Sequence, residues 1–228
     1  MDIVLIRHAE PEWVLKGLNV VDPPLTRRGH EQAELLGAAL GDESFDEVHV
    51  SPLVRACQTA APLFARLGVG APEDHVSRWL EEIRDPGWHG TPAELSKEAY
   101  RAQVRRPPHE QWEGLPGGEP VRDFVARVRT GGAAFFAEHG VTPAPGDLPV
   151  WHVAEPDRKI LLVAHAGTNS VIINFLLGLP SVPWEWERFV IHHASVSRLE
   201  AYRVGDARTF TLTDLSDVRH LPPAMHTR

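Results

Sequence analysis

A mostly parallel β-sheet with helices on both faces, an α/β fold, is predicted by two observations. The runs Ile3-Val4-Leu5-Ile6 and Ile160-Leu161-Leu162-Val163-Ala164 are continuously apolar, as strands covered on both faces must be. Strand and helix patterns also alternate through the first 67 residues, which is the rhythm of βαβ units. The chain has 228 residues, 43% of them hydrophobic, enough for one substantial core. No repeat or linker divides it, so a single domain over residues 1–228 is expected.

Taken in order, the opening strand is followed by a helix over 26–40. Thr26 is its cap, and Ala33, Leu36, Ala39 and Leu40 form its apolar face. A strand over 45–50 passes through Ser51-Pro52 into a helix reaching about residue 67, with proline near the first turn where no N–H is needed. A third strand is read at 76–80. Residues 84–118 carry Trp and Pro with one short helix near 92–104 and are read as a lid-like insertion. Val121, Phe124, Val125, Val128 and Phe135 recur at helical spacing over 120–138, and a proline-rich loop covers 141–158. The strand at 160–164 leads to a helix at 168–177. Later strands are read at Val190, 196–204 and 209–212, and the last dozen residues are read as a tail.

Composition narrows the function. A net charge of −8 argues against a nucleic-acid or anionic-membrane surface. The longest apolar runs, such as Ala133 to Ala137, fall far short of the roughly 20 residues that span a bilayer. Asp2 stands where a secretory signal would carry basic residues. Cys57 is the only cysteine, so no internal disulfide forms, and it is read as a small buried hydrophobe. No Cys/His spacing matches a zinc site, and no metal or cofactor is expected. A protein of the reducing cytoplasm is the resulting expectation. All but three of the 23 basic residues are arginines, whose planar forks suit phosphate.

The chemistry gathers at strand ends. Arg7-His8-Ala9-Glu10 directly follows the first strand, at the carboxyl edge where α/β sheets place ligands. His165-Ala166-Gly167 follows the strand at 160–164 in the same way and opens a helix. The helix beginning after Ser51-Pro52 brings Arg55 to that edge. Two arginines and two histidines facing one pocket make an anion site. Glu81 and Glu82 both offer a carboxyl group just after the strand read at 76–80, and strand alternation would turn them to opposite sides. His192-His193 and the Trp184/Trp186 pair are read as structural. Trp13, Trp88 and Trp112 flank or belong to the insertion, and Trp13 and Trp88 are read as substrate contacts.

In order along the chain, Arg7-His8-Ala9-Glu10, Pro24 to Ala33, Ser51 to Ala60, Leu80-Glu81-Glu82-Ile83 with Trp88 and Gly90, Pro116-Gly117-Gly118-Glu119, and Val163 to Gly167 resemble the motifs of the histidine phosphatase superfamily, in its phosphoglycerate mutase-like branch. The resemblance implies a three-layer sandwich and a phosphohistidine mechanism. It makes His8 the nucleophile and Glu82 the general acid, while Arg7, Arg55, His165 and the backbone of Ala166 bind phosphate. Mutases of the family usually continue the first motif with serine and asparagine and carry a further arginine-rich segment after the acid. Those places here read Pro11, Trp13 and Arg84-Asp85-Pro86-Gly87, with Pro86 where glycine is common and His89 where glutamate is common. A phosphatase therefore fits better than a phosphoglycerate mutase. A silent phosphate-binding scaffold would ordinarily have lost one of these residues.

Overall fold

The computed structural model describes all 228 residues. In chain order the elements are β1 (Asp2–Arg7), the short hairpin β2 (Val14–Leu15) and β3 (Leu18–Asn19), α1 (Arg27–Leu40), β4 (Glu47–Val50) and α2 (Val54–Leu67). Then come α3 (Ala93–Val104), α4 (Val121–Glu138), β5 (Val141–Pro143), β6 (Trp151–Val153), β7 (Lys159–Ala164) and α5 (Ala166–Leu176). The chain ends with α6 (Glu185–Arg188), β8 (Val196–Val204) and β9 (Ala207–Asp217). No helix is long and apolar enough to cross a membrane.

The main sheet is mixed, not mostly parallel. Its seven strands run β4-β7-β1-β8-β9-β6-β5; only the β4–β7 and β7–β1 pairs are parallel, and the other pairs are antiparallel. The physical reason lies in the connections. Only Gly205 and Asp206 separate β8 from β9, and so short a loop can join only antiparallel neighbours. Gly205 supplies the positive φ, +63°, that this turn needs.

Helices do cover both faces. One buried cluster packs Phe124, Val128 and Phe136 of α4 and Ile172, Ile173 and Leu176 of α5 against Ile3, Leu5, Ile160 and Leu162. The other packs Leu36 of α1 and Leu63 and Phe64 of α2 against Val4, Ile6, Leu161 and Val163. The strict alternation between the two clusters along β1 and β7 is the period-two rule applied to a sheet covered on both sides.

Several sequence expectations are corrected. Residues 76–80 form no strand: Val76 makes one isolated bridge to Val50, and Arg78–Leu80 is a 3-10 turn. Val190 lies in no strand, and the loop at 141–158 contains β5 and β6. Ala39 faces solvent, and Gly29, Gln32 and Gly37 take the buried face of α1 instead. The tail is docked, with Gln32 Nε2 donating to the Met225 carbonyl at 2.7 Å and to Thr227 Oγ1 at 3.0 Å.

Candidate active site

Parallel pairing in register sets Arg7 of β1 opposite Ala164 of β7, so His8 and His165 emerge at one sheet edge with ring centroids 5.1 Å apart. The loop after β1 is fastened to its neighbours. The Ala9 amide donates to Thr59 Oγ1 at 2.9 Å, and that hydroxyl donates to the Arg55 carbonyl at 2.7 Å. On α1, a Cβ at Gly29 would stand 2.2 Å from the Glu10 carbonyl oxygen, so only glycine permits this approach.

His8 Nδ1 lies 2.7 Å from the Ala9 carbonyl oxygen. A carbonyl only accepts, so the ring proton sits on Nδ1 and Nε2 keeps its lone pair. Burial first, and then the positive charges of Arg55 and Arg7 and the neighbouring His165, hold the His8 pKa well below 6.5. The imidazole is neutral at pH 7. His165, with its pKa depressed by the same burial and arginines, pairs Nε2 with Ser51 Oγ at 2.7 Å and leaves Nδ1 buried without a partner.

Two arginines complete the floor. Arg7 is held by the Ile191 carbonyl and by His193 Nε2 at 2.9 Å. Because arginine only donates, His193 accepts there and donates from Nδ1 to Thr227 Oγ1 at 2.9 Å. Burial lowers the Arg7 pKa to about 10, so it stays cationic at neutral pH. Arg55 reaches Asp22 Oδ1 at 3.5 Å and lies 4.8 Å over the Trp13 ring. The Nε donors of both arginines are buried and unpartnered, poised for an anion.

Glu82 stands on the irregular segment after residue 80. Its Oε1 accepts from the Ile83 amide at 2.9 Å and its Oε2 from the Gly167 amide at 2.8 Å. A Cβ at Gly167 would come within 2.6 Å of Glu82 and 2.5 Å of the Trp186 ring, so glycine is required for the carboxyl group to approach α5. Burial raises the Glu82 pKa against the pull of those two amides, Arg55 and Arg7. Glu81 turns away to bind Arg84 Nη2 at 2.8 Å.

A cavity of about 320 Å³ above this floor is lined by Arg7, His8, Arg55, Glu82 and Ala166, with Asp85, Tyr100 and Trp186 among its other walls. His165 lies beside it, outside the lining. An adjoining cavity of about 550 Å³ shares Trp13, Arg55, Glu82, Asp85 and Tyr100. Trp13 thus borders both, whereas Trp88 borders only the second and meets the Tyr100 ring edge-on at 5.7 Å. Tyr100 donates to Asp85 Oδ1 at 2.6 Å, and burial raises both pKa values.

Sequence reasoning missed three participants. His193 orients Arg7, and its signal was only that it follows a buried isoleucine near a strand start. Trp186 belongs to the cavity wall and stacks on Phe124 with centroids 5.5 Å apart. Arg127 binds the Glu81 and Glu82 carbonyls at 3.0 and 3.2 Å and forks onto Glu119 at 2.9 Å through both Nε and Nη2. That fork gives Glu119, quoted above without a role, a structural reason. Cys57 is only half-buried, its thiol 3.5 Å from the Ser51 carbonyl oxygen.

Comparison with known proteins agrees with this architecture. The chain is 36% identical over 135 residues to a 2,3-bisphosphoglycerate-dependent phosphoglycerate mutase of Azorhizobium caulinodans; the match takes in 55% of this chain and 64% of that mutase, under two thirds of its length. Among solved structures, the alpha-ribazole phosphatase from Shigella flexneri superposes with a TM-score of 0.68 at 26% identity, covering 95% of this chain and 96% of that one. A mycobacterial glucosyl-3-phosphoglycerate phosphatase gives 0.68 at 25% identity, covering 94% and 98%. A profile of the histidine phosphatase superfamily (branch 1) matches residues 3–212, and the chain belongs to that superfamily.

Proposed function

We propose that this protein is a phosphatase that hydrolyses a small phosphomonoester through a phosphohistidine on His8, with no metal in the reaction. The observation that carries the reading is the Nδ1 bond from His8 to the Ala9 carbonyl, which leaves a neutral Nε2 lone pair among cationic donors. Nε2 attacks phosphorus, the bond to the ester oxygen breaks, and Glu82 gives its proton to the departing alcohol. Water then attacks the phosphohistidine while the Glu82 carboxylate takes its proton, and the P–N bond breaks to restore His8. Arg7, Arg55, His165 and the Ala166 amide stabilise the phosphoryl oxygens.

Hydrolysis is favoured over a mutase by the charge of the walls. Beyond Arg7 and Arg55, the lining cations are Arg84, bound to Glu81, and Lys97, bound to Glu94 at 2.8 Å. Both of those cations already face a carboxylate of the protein, and the same walls carry the carboxyl group of Asp85.

The test is a trap. Wild-type protein mixed with a labelled phosphomonoester and quenched in alkaline denaturant should carry label that acid removes, while His8→Ala should carry none and turn over nothing. Phosphate release should proceed in EDTA and exceed transfer to added phosphoglycerate. Turnover by His8→Ala near the wild-type rate would sink the mechanism; transfer to phosphoglycerate in preference to water would establish the mutase instead.

A further inference from the structure

A second cluster of chemically able side chains lies outside both cavities, on the edge strand β4. Glu47 and His49, two residues apart, project from the same face of that strand, and His139 follows the last turn of α4. Their ligand atoms, a carboxylate oxygen and two ring nitrogens, all lie within 4.8 Å of one another. Both imidazoles present Nε2 to the same atom: Glu47 Oε2 is 2.9 Å from His49 Nε2 and 2.6 Å from His139 Nε2.

The remaining atoms of the three side chains are committed elsewhere. His139 Nδ1 lies 2.6 Å from the Phe135 carbonyl oxygen, which only accepts, so Nδ1 carries the proton. Nε2 of that ring therefore faces the carboxylate as a bare lone pair unless a second proton or a cation joins them. His49 Nδ1 pairs with Ser77 Oγ at 3.1 Å, and Arg158 occupies the other carboxylate oxygen of Glu47. The result is one free oxygen and two Nε2 atoms converging, each ring anchored through its other nitrogen. Outer contacts of that kind orient metal-binding histidines.

We infer that Glu47, His49 and His139 form a binding site for a divalent transition-metal ion of the zinc class, joining edge strand β4 to the end of α4. Two imidazoles and one carboxylate are an ordinary donor set for such an ion, with water filling the open position. Bonds of about 2.0–2.2 Å in a tetrahedral site set ligand atoms roughly 3.3 Å apart, so the His49 Nε2–Oε2 distance of 2.9 Å must open by about 0.4 Å and the His139 Nε2–Oε2 distance of 2.6 Å by about 0.7 Å. Glu47, partly exposed, can supply that movement. None of the three residues lines the catalytic cavity, so the ion is a staple for the sheet edge and takes no part in turnover.

The test uses the whole protein and Zn²⁺. After equilibration with Zn²⁺ and exhaustive dialysis, wild type should retain one ion per chain and melt at a higher temperature than the EDTA-treated protein. The His49→Gln/His139→Gln double variant should retain none and show no metal-dependent shift. Phosphatase activity should be equal in both. Zinc X-ray absorption on wild type should show two imidazoles with nitrogen and oxygen ligands near 2.0–2.1 Å, a readout that does not depend on the variant folding. No retained zinc, equal retention by the double variant, or a spectrum lacking imidazole would overturn the site.

Discussion

The floor of the candidate catalytic cavity and the insertion that walls it are built in opposite ways. On the floor, His8, Arg55 and His165 are buried, and each is fixed by strand register, a helix start or a bond to backbone. The insertion over 84–118 is mostly exposed: Tyr100 and Val104 of α3 are 47% and 71% accessible, and α3 buries only Ala93. Its contact with the site is carried by side chains such as the Asp85–Tyr100 pair. The proposed reaction puts bond breaking on the rigid part and contact with the alcohol on the looser part, as expected where loops on a fixed scaffold carry specificity.

The largest effect separating the two regions should come from Glu82. A general acid matters most for a poor leaving group, so Glu82→Gln should slow the first turnover of an alkyl phosphate by roughly 10²–10⁴ and that of an activated aryl phosphate distinctly less. Glu81→Gln, whose carboxylate is held by Arg84, should stay near wild type with both. The reverse pattern would transfer the acid to Glu81. The pH profile adds a signed check. Activity should rise with pH through the depressed pKa of His8, below 6.5, and fall through the raised pKa of Glu82, above 4.5. An acid limb at or above 6.5 would contradict a buried neutral nucleophile.

Arg55 should come next. Lysine keeps the charge but loses the fork and the stacking under Trp13. Arg55→Lys should cost roughly 10²–10³ in kcat, comparable to removing one preorganised oxyanion donor, with little change in melting temperature. A loss confined to KM would mean that Arg55 binds the ground state as strongly as the transition state.

How far each region could be read from sequence follows the same division. Strand-end motifs carry His8 and His165 because a buried apolar run and the polar residue that ends it are adjacent in the chain. Sheet direction was misread because the parallel rhythm of the first 67 residues was extended over a half that is antiparallel, although Gly205-Asp206 already marked a hairpin. The expected strand at 76–80 failed for another reason: Val76, Trp79 and Leu80 are apolar, but Leu80 and Trp79 pack toward α4 from a 3-10 turn. His193 and Arg127 act through partners far away in sequence, Arg7 and the Glu81–Glu82 backbone, and no local pattern signals such pairs. Glu47, His49 and His139 were invisible as a group because 90 residues separate the second from the third.

The smallest effects should belong to the insertion, and they decide whether the division holds. Tyr100→Phe removes the hydroxyl that donates to Asp85 and leaves that half-buried carboxyl group without this partner. The pair makes no hydrogen bond to His8, Arg7 or Arg55 and acts on Arg55 only through its charge, so the chemical step should be little changed. Single-turnover rates at saturating substrate should stay within about threefold of wild type, while KM should rise up to about tenfold, equivalent to about 1.4 kcal/mol of uniform binding. Trp88→Ala should behave alike but more weakly, because Trp88 borders only the outer cavity and reaches the inner one through the Tyr100 ring. Measured with alcohols of increasing size, both losses should grow with the part of the substrate beyond the phosphoryl group and vanish for the smallest ester. A uniform fall in kcat across all esters, as large as that of Arg55→Lys, would instead place Tyr100 and Asp85 in the machinery of the floor and erase the distinction between the two regions.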